Sequence, residues 1–158
     1  MDNKIVIKIG GSLLFSKNKQ IDKEKVSEIC NVIRNKTELD SIILIIGGGR
    51  VAREYIDVTR SFCKNEAYCD LIGIEVSRIN SLLFMYNLGE KAYPHVPKSF
   101  DELSTALLFK KIIVMGGLQP GQSTTSVAVE VAEFIKADKI IILTDVEGIY
   151  DKDPKKFS

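Results

Sequence analysis

Three short apolar runs in this chain each end in glycine. KIVIKI (residues 4–9) leads into Gly10-Gly11, IILII (42–46) into Gly47-Gly48-Gly49, and KIIVM (111–115) into Gly116-Gly117. A fourth run, KIIIL (139–143), has the same texture but leads into Thr144-Asp145. Runs of this length and β-branched content read as strands. The last three are apolar at nearly every position, which predicts central parallel strands covered on both faces. The recurring glycines constrain the fold further. In an open parallel sheet, ligands lie beyond the carboxyl ends of the strands. Glycine there lets backbone N–H groups approach an anion with no Cβ between them. A tight turn alone would account for one such pair; three at equivalent strand ends favour a shared anionic ligand.

Helical patterns separate the strands. Residues 21–35 open on Asp22 as an N-cap and set Val26, Ile29 and Ile33 on one face. Residues 50–63 do the same with Val51, Tyr55, Val58 and Phe62. Residues 69–88 are apolar on more than one face, so this helix is expected to be buried in the core or against another subunit. A shorter helix is expected over 124–136, and AYPHVPKSF (92–100), with two prolines, reads as a loop or edge segment. Alternating strands and helices predict an α/β fold with a mainly parallel sheet, and 158 residues suffice for one domain with its own core.

Charge narrows the partners. With 22 basic and 21 acidic residues the chain has no footprint for nucleic acid or a membrane surface. MDNKIVIKIGG is no signal peptide, and no apolar run approaches a membrane span. Cys30, Cys63 and Cys69 form no CxxC and cannot all pair within one chain, so reduced thiols and a cytoplasmic location are expected. His95 is the one histidine, too few for a multi-His metal site or a His-based nucleophile set. There is no GxxxxGK[ST] loop and no GxGxxG after a strand, which argues against a P-loop kinase and a dinucleotide-binding Rossmann enzyme. Near the glycines, Lys8 is either a solvated edge residue or a cation for a migrating phosphoryl group. Arg50 and Arg53 stand at a helix start, where cations oppose the dipole. A bound phosphate would explain them, as would a surface salt bridge to Glu54 or Asp57.

KIGGSLL (8–14), IIGGGRVAREYI (45–56) and TDVEGIYDKDP (144–154) resemble the amino acid kinase family. YCDLIGIEVSRINSLL (68–83), EKAYPHVPKSFDEL (90–103) and GGLQPGQSTTSVAVEVAEF (116–134) resemble its archaeal-type uridylate (UMP) kinases. The resemblance implies a three-layer αβα sandwich whose C-terminal part is missing. It implies transfer of the ATP γ-phosphoryl group to UMP, with Mg²⁺, in pyrimidine nucleotide biosynthesis. Catalysis would be positioning and charge neutralisation without a covalent intermediate.

Carried onto this chain, the resemblance gives Lys8 the catalytic role. UMP would meet Gly48, Asp70 and the loop Leu118, Gln119, Pro120, Gly121, Gln122, Ser123 and Thr124. ATP would meet Gly11, Ser12, Gly49, Arg53, Thr144, Tyr150 and Asp153. Asp70 suits the ribose hydroxyls, since a carboxylate accepts both; as the residue opening helix 69–88 it would also serve as an N-cap. The uncharged loop suits the uracil edge, with Ser123 and Thr124 near the phosphate. Tyr150 would pack on the base, and Asp153 otherwise makes an Asp-Pro turn. A homo-oligomer is implied, a dimer through helix 69–88 and possible hexamers built from it. Family members continue past the DKDP motif and add a second lysine, so this chain, with its ATP-binding portion starting at about residue 140, is expected to bind UMP but phosphorylate it poorly alone. The alternatives are a non-catalytic nucleotide- or oxyanion-binding or storage module, or a sister kinase acting on acetylglutamate, carbamate or isopentenyl phosphate.

Overall fold

In a computed structural model of the chain, residues 3–16, 18, 20–36 and 39–145 are described. The strands are β1 (Lys4–Ile9), β2 (Ser41–Ile46), β3 (Ile113–Met115) and β4 (Lys139–Leu143). The helices are α1 (Lys23–Arg34), α2 (Gly49–Phe62), α3 (Glu66–Leu88), α4 (Phe100–Leu107) and α5 (Thr124–Ile135). The strands form one parallel sheet in the order β3-β2-β1-β4. Its register pairs Ile9 with Ile46 and Leu143, and Ile45 with Met115. The carboxyl ends of the strands therefore line up, and the glycine loops emerge along one edge. The ladder extends into two of them: the N–H of Gly10 donates to Leu143 O and that of Gly47 to Ile9 O, both at 2.9 Å.

The pleat of β2 divides the core into two layers. Ile42, Leu44 and Ile46 face α1 and α3, joining Val26, Cys30, Ile33, Phe84 and Leu88. Ile43 and Ile45 face α4 and α5, joining Leu103, Ala106, Val127 and Val131. The result is the expected αβα sandwich. Asp22 caps α1 as the sequence suggests, its Oδ1 accepting from Lys25 N at 2.9 Å.

Four expectations need correcting. Of the strands expected to be central, only β2 is so among the described residues; β3 and β4 are the outer strands of their sheet, and β4 leaves Ile140 and Ile142 each 37% exposed. The outward stripe of α2 is apolar: Tyr55, Val58 and Phe62 are 58%, 60% and 75% exposed. The helix instead buries Ala52 and sets Ile56 against Gly73 of α3, where a Cβ would sit 3.1 Å from Ile56 Cδ1. Close approach over glycine, not the count of large apolar residues, selects the contact face. Helix α3 begins at Glu66 under an Asn65 cap, whose Oδ1 accepts from Ala67 N, so Asp70 is not its N-cap. Helix α4, unforeseen, starts where Ser99 Oγ accepts from Glu102 N, an S-x-x-E capping signature overlooked between two prolines and an apolar run. One face of α3, including Cys69, Ile74, Phe84 and Leu88, is buried within this chain, and Tyr68, Leu71, Ile79 and Tyr86 remain exposed. Among the described residues no helix is long and apolar enough to cross a membrane.

Candidate functional site

The loops after β1 and β2 interlock. A Cβ on Gly11 would lie 2.1 Å from Gly49 N and 2.9 Å from Gly47 C, so the backbones touch where no side chain fits. Gly49 has φ +66°, the left-handed conformation that glycine adopts without cost, and it starts α2 directly from the loop. Among the described residues no side chain caps that helix. Asn80 of α3, buried, donates from Nδ2 to Gly47 O at 2.9 Å and Gly48 O at 3.1 Å. One turn earlier, Ser77 Oγ accepts from Gly117 N at 2.7 Å and donates to Ile74 O. Arg78 Nε donates to Gly117 O at 3.2 Å. Helix α3 thus grips both glycine loops.

Between these elements lies a cleft lined by Gly48, Gly49, Asp70, Gly117, Gln122 and Thr124, among others. Asp70 Oδ2 accepts from Gly121 N at 2.7 Å, which ties the 118–124 loop across the cleft. Gln122 Nε2 donates to Glu130 Oε1, and Gln122 Oε1 is buried without a partner among the described residues. Ser123 caps α5, its Oγ accepting from Ser126 N at 3.0 Å. Leu118 packs against the α4–α5 core and its carbonyl accepts from Arg78. Gln119 and Pro120 are exposed and are not among the cleft-lining residues. Of the seven loop positions, Gln122 and Thr124 line the cleft and Gly121 reaches its edge through the backbone.

Of the residues expected to hold ATP, Gly11 and Ser12 follow the end of β1 and Thr144 follows the end of β4. Lys8 is half-buried beside Gly10. Burial pulls the Lys8 ammonium pKa below its ordinary value of 10.5, and the nearby Asp145 carboxylate only partly restores it. Ser12 Oγ donates to Asp145 Oδ1 at 3.0 Å, and exposed Thr144 adjoins it. Gly11 meets Gly49 as described. Arg50 pairs with Glu54 at 2.6 Å, the salt bridge allowed for at the outset. Arg53 is exposed and makes no ion pair among the described residues. Tyr150 and Asp153 lie outside the described residues. Sequence reasoning missed Ser77, Asn80 and Asp145. The first two had a signal: Asp70, Gly73, Ser77 and Asn80 recur at helical spacing as small or polar residues inside an apolar helix.

Lys8 yields a pH-dependent expectation. Lys8→Met should raise the melting temperature by a few degrees at neutral pH, because the desolvation of the ammonium outweighs its attraction to Asp145. The cost of the buried cation is fully present below the depressed pKa and has gone once pH exceeds 10.5. The advantage of Met should therefore shrink between neutral pH and 10.5. Thermal melts across that range test it; a lower melting temperature for the variant at neutral pH would show that the Asp145 attraction dominates.

Comparison with known proteins follows the same lines. The sequence model of the amino acid kinase family matches residues 3–158. A uridylate kinase of Methanobrevibacter smithii is 47% identical over 154 residues, 98% of this chain and 67% of its own length. One from Thermococcus sibiricus is 42% identical over 97% of this chain and 67% of its own. The crystal structure of uridylate kinase from Archaeoglobus fulgidus superposes with a TM-score of 0.83 at 37% identity, covering 95% of this chain and 67% of that one. UMP kinase from Ureaplasma parvum, at 22% identity and a TM-score of 0.73, shares the fold. The chain spans about two thirds of the length of these curated relatives.

Proposed function

The chain belongs to the amino acid kinase family, and from that premise we propose that it acts as a uridylate kinase, moving the γ-phosphoryl group of ATP onto the phosphate of UMP. One observation carries the reading: a single cleft combines the glycine backbone of Gly48 and Gly49, the carboxylate of Asp70 and the neutral Gln122 and Thr124. Glycine N–H groups suit a phosphate, a carboxylate suits a ribose diol, and uncharged hydrogen-bonding groups suit a pyrimidine edge. Isopentenyl phosphate and N-acetylglutamate have no diol for Asp70 to accept from. Of the loop, Leu118, Gln119, Pro120, Gly121 and Ser123 would enclose the nucleotide around the two side chains that line the cleft.

On the donor side, Gly11, Ser12, Gly49, Arg53 and Thr144 would hold ATP, with Tyr150 and Asp153 completing the site. Lys8 would neutralise charge on the phosphoryl group in flight. Its half-burial beside the Gly10-Gly11 loop supports this, since such a cation acts with little competition from water. Mg²⁺ would arrive on the ATP phosphates, the usual way this ion binds, and such binding needs no dedicated cage of side chains. No group of three metal-ligating side chains occurs among the described residues. A cytoplasmic role in pyrimidine nucleotide biosynthesis accompanies the reading. So does a dimer through α3, supported by the exposed Ile79 and Tyr86 beside a groove that Leu82 and Met85 also line.

Calorimetric titration of the chain tests the acceptor directly. UMP should bind, CMP about tenfold or more weaker, since one mispaired base-edge hydrogen bond costs about 1–3 kcal/mol. Isopentenyl phosphate and N-acetylglutamate should give no heat. Absence of UMP binding, or a preference for either of those acids, overturns the reading.

A further inference from the structure

We propose that Asn80, a buried side chain that touches no substrate, is the positioning residue that aims the triple-glycine loop at the acceptor phosphate; the inference rests on the uridylate kinase reading above. Asn80 is 5% exposed and sits in the interior of α3, where an unpaired amide would be costly. It is paired. Nδ2 spends both of its N–H bonds on consecutive carbonyls, Gly47 O at 2.9 Å and Gly48 O at 3.1 Å.

The consequence follows from peptide geometry. In a trans peptide the carbonyl of one residue and the N–H of the next point in opposite directions. Fixing Gly47 O and Gly48 O on Asn80 therefore turns the N–H groups of Gly48 and Gly49 away from it. Neither N–H finds an acceptor among the described residues. Both glycines line the cleft that also holds Asp70 and Thr124. Of these two free donors at the start of α2, that of Gly48 suits an oxygen of the acceptor phosphate, and that of Gly49, on the ATP side, suits the phosphoryl group arriving from the donor.

A glycine loop needs such a guide. Without Cβ atoms, the peptides of Gly47-Gly48-Gly49 can rotate between conformations closed to other residues. A flip of either peptide would present a carbonyl oxygen to the phosphate where an N–H now stands. Asn80 selects the productive orientation by binding the carbonyls at the back of the loop. The same helix face secures the neighbouring loop through Ser77 and Gly117 N, so the two walls of the cleft keep their spacing.

The test compares two ligands that differ only in the group the loop would hold. Affinities for UMP and uridine are measured, by calorimetry and saturation-transfer NMR respectively, for the parent chain, Asn80→Leu and Asn80→Ser. Leu keeps the volume and removes both donors; Ser is smaller and keeps one. The expected result is UMP binding weakened about tenfold or more in Asn80→Leu, less in Asn80→Ser, with uridine within about twofold of the parent. A merely structural role would weaken both ligands together, and that outcome, or unchanged UMP affinity, overturns the inference while leaving the UMP reading intact. If Asn80→Leu does not fold by circular dichroism, the UMP-to-uridine split in Asn80→Ser decides alone. A parent chain that binds no UMP would bring down the reading and the inference with it.

Discussion

Gly11→Ala should cost the chain about 3 kcal/mol of stability or more, at the upper end of what over-packing a tight core does. For a chain of this size that corresponds to a fall of about 10 °C in melting temperature. The new methyl would stand 2.1 Å from Gly49 N, 2.4 Å from Gly49 Cα and 2.9 Å from Gly47 C. All three are backbone atoms, so no side chain can swing aside to make room. Gly47 is in turn locked to Gly11, since a Cβ on Gly47 would lie 2.7 Å from Gly11 N. Relief therefore requires the ends of β1 and β2 to part, which would also open the site. Gly121→Ala is the control. Gly121 has a positive φ, +80°, which Gly11 does not, and its Cβ would meet nothing within 4 Å. Only backbone strain of about 1–2 kcal/mol applies there. Thermal melts of the two variants separate close approach from conformational freedom. Equal losses would show that the contact between Gly11 and Gly49 is not what makes glycine necessary.

The same contact shows why part of the fold was legible and part was not. Apolar runs ending in glycine announced β1, β2 and β3 and the edge where their loops converge, because burial and turn-making both leave a mark on composition. The exposed stripe of Tyr55, Val58 and Phe62 on α2 was misread for the opposite reason. Periodicity counts apolar side chains, whereas the packed face was chosen by Gly73 on the partner helix, a residue with no side chain to count. Likewise β4 has the texture of a central strand yet pairs only with β1 among the described residues, since texture does not report how many neighbours a strand has. In the site, Gly48, Asp70, Gln122 and Thr124 were named from sequence and share one cleft. Ser77 and Asn80 are polar residues inside an apolar helix. Their work is done through loop carbonyls and amides that have no identity in the sequence.

Asp70→Asn should weaken UMP binding about 10- to 100-fold, the worth of a hydrogen bond to a charged acceptor in a partly buried site. The substitution is nearly isosteric, and what it removes can be stated atom by atom. Asp70 Oδ2 is engaged by Gly121 N at 2.7 Å, which leaves the other oxygen for the ribose. An asparagine can still accept from Gly121 N through its carbonyl oxygen, so the loop stays tied. Its NH₂ group, however, cannot accept from a ribose hydroxyl. The loss should fall on the sugar. The parent chain should prefer UMP over 2′-deoxy-UMP, and Asp70→Asn should bind the two almost equally, since the hydroxyl no longer has a charged acceptor. Asp70→Ala should lose more UMP affinity than Asp70→Asn, the difference reporting the tie to Gly121. Calorimetry with both nucleotides on all three proteins completes the cycle. If Asp70→Asn keeps the parent's preference for UMP over 2′-deoxy-UMP, then Asp70 does not read the ribose, and its place in the cleft is that of a latch on the 118–124 loop.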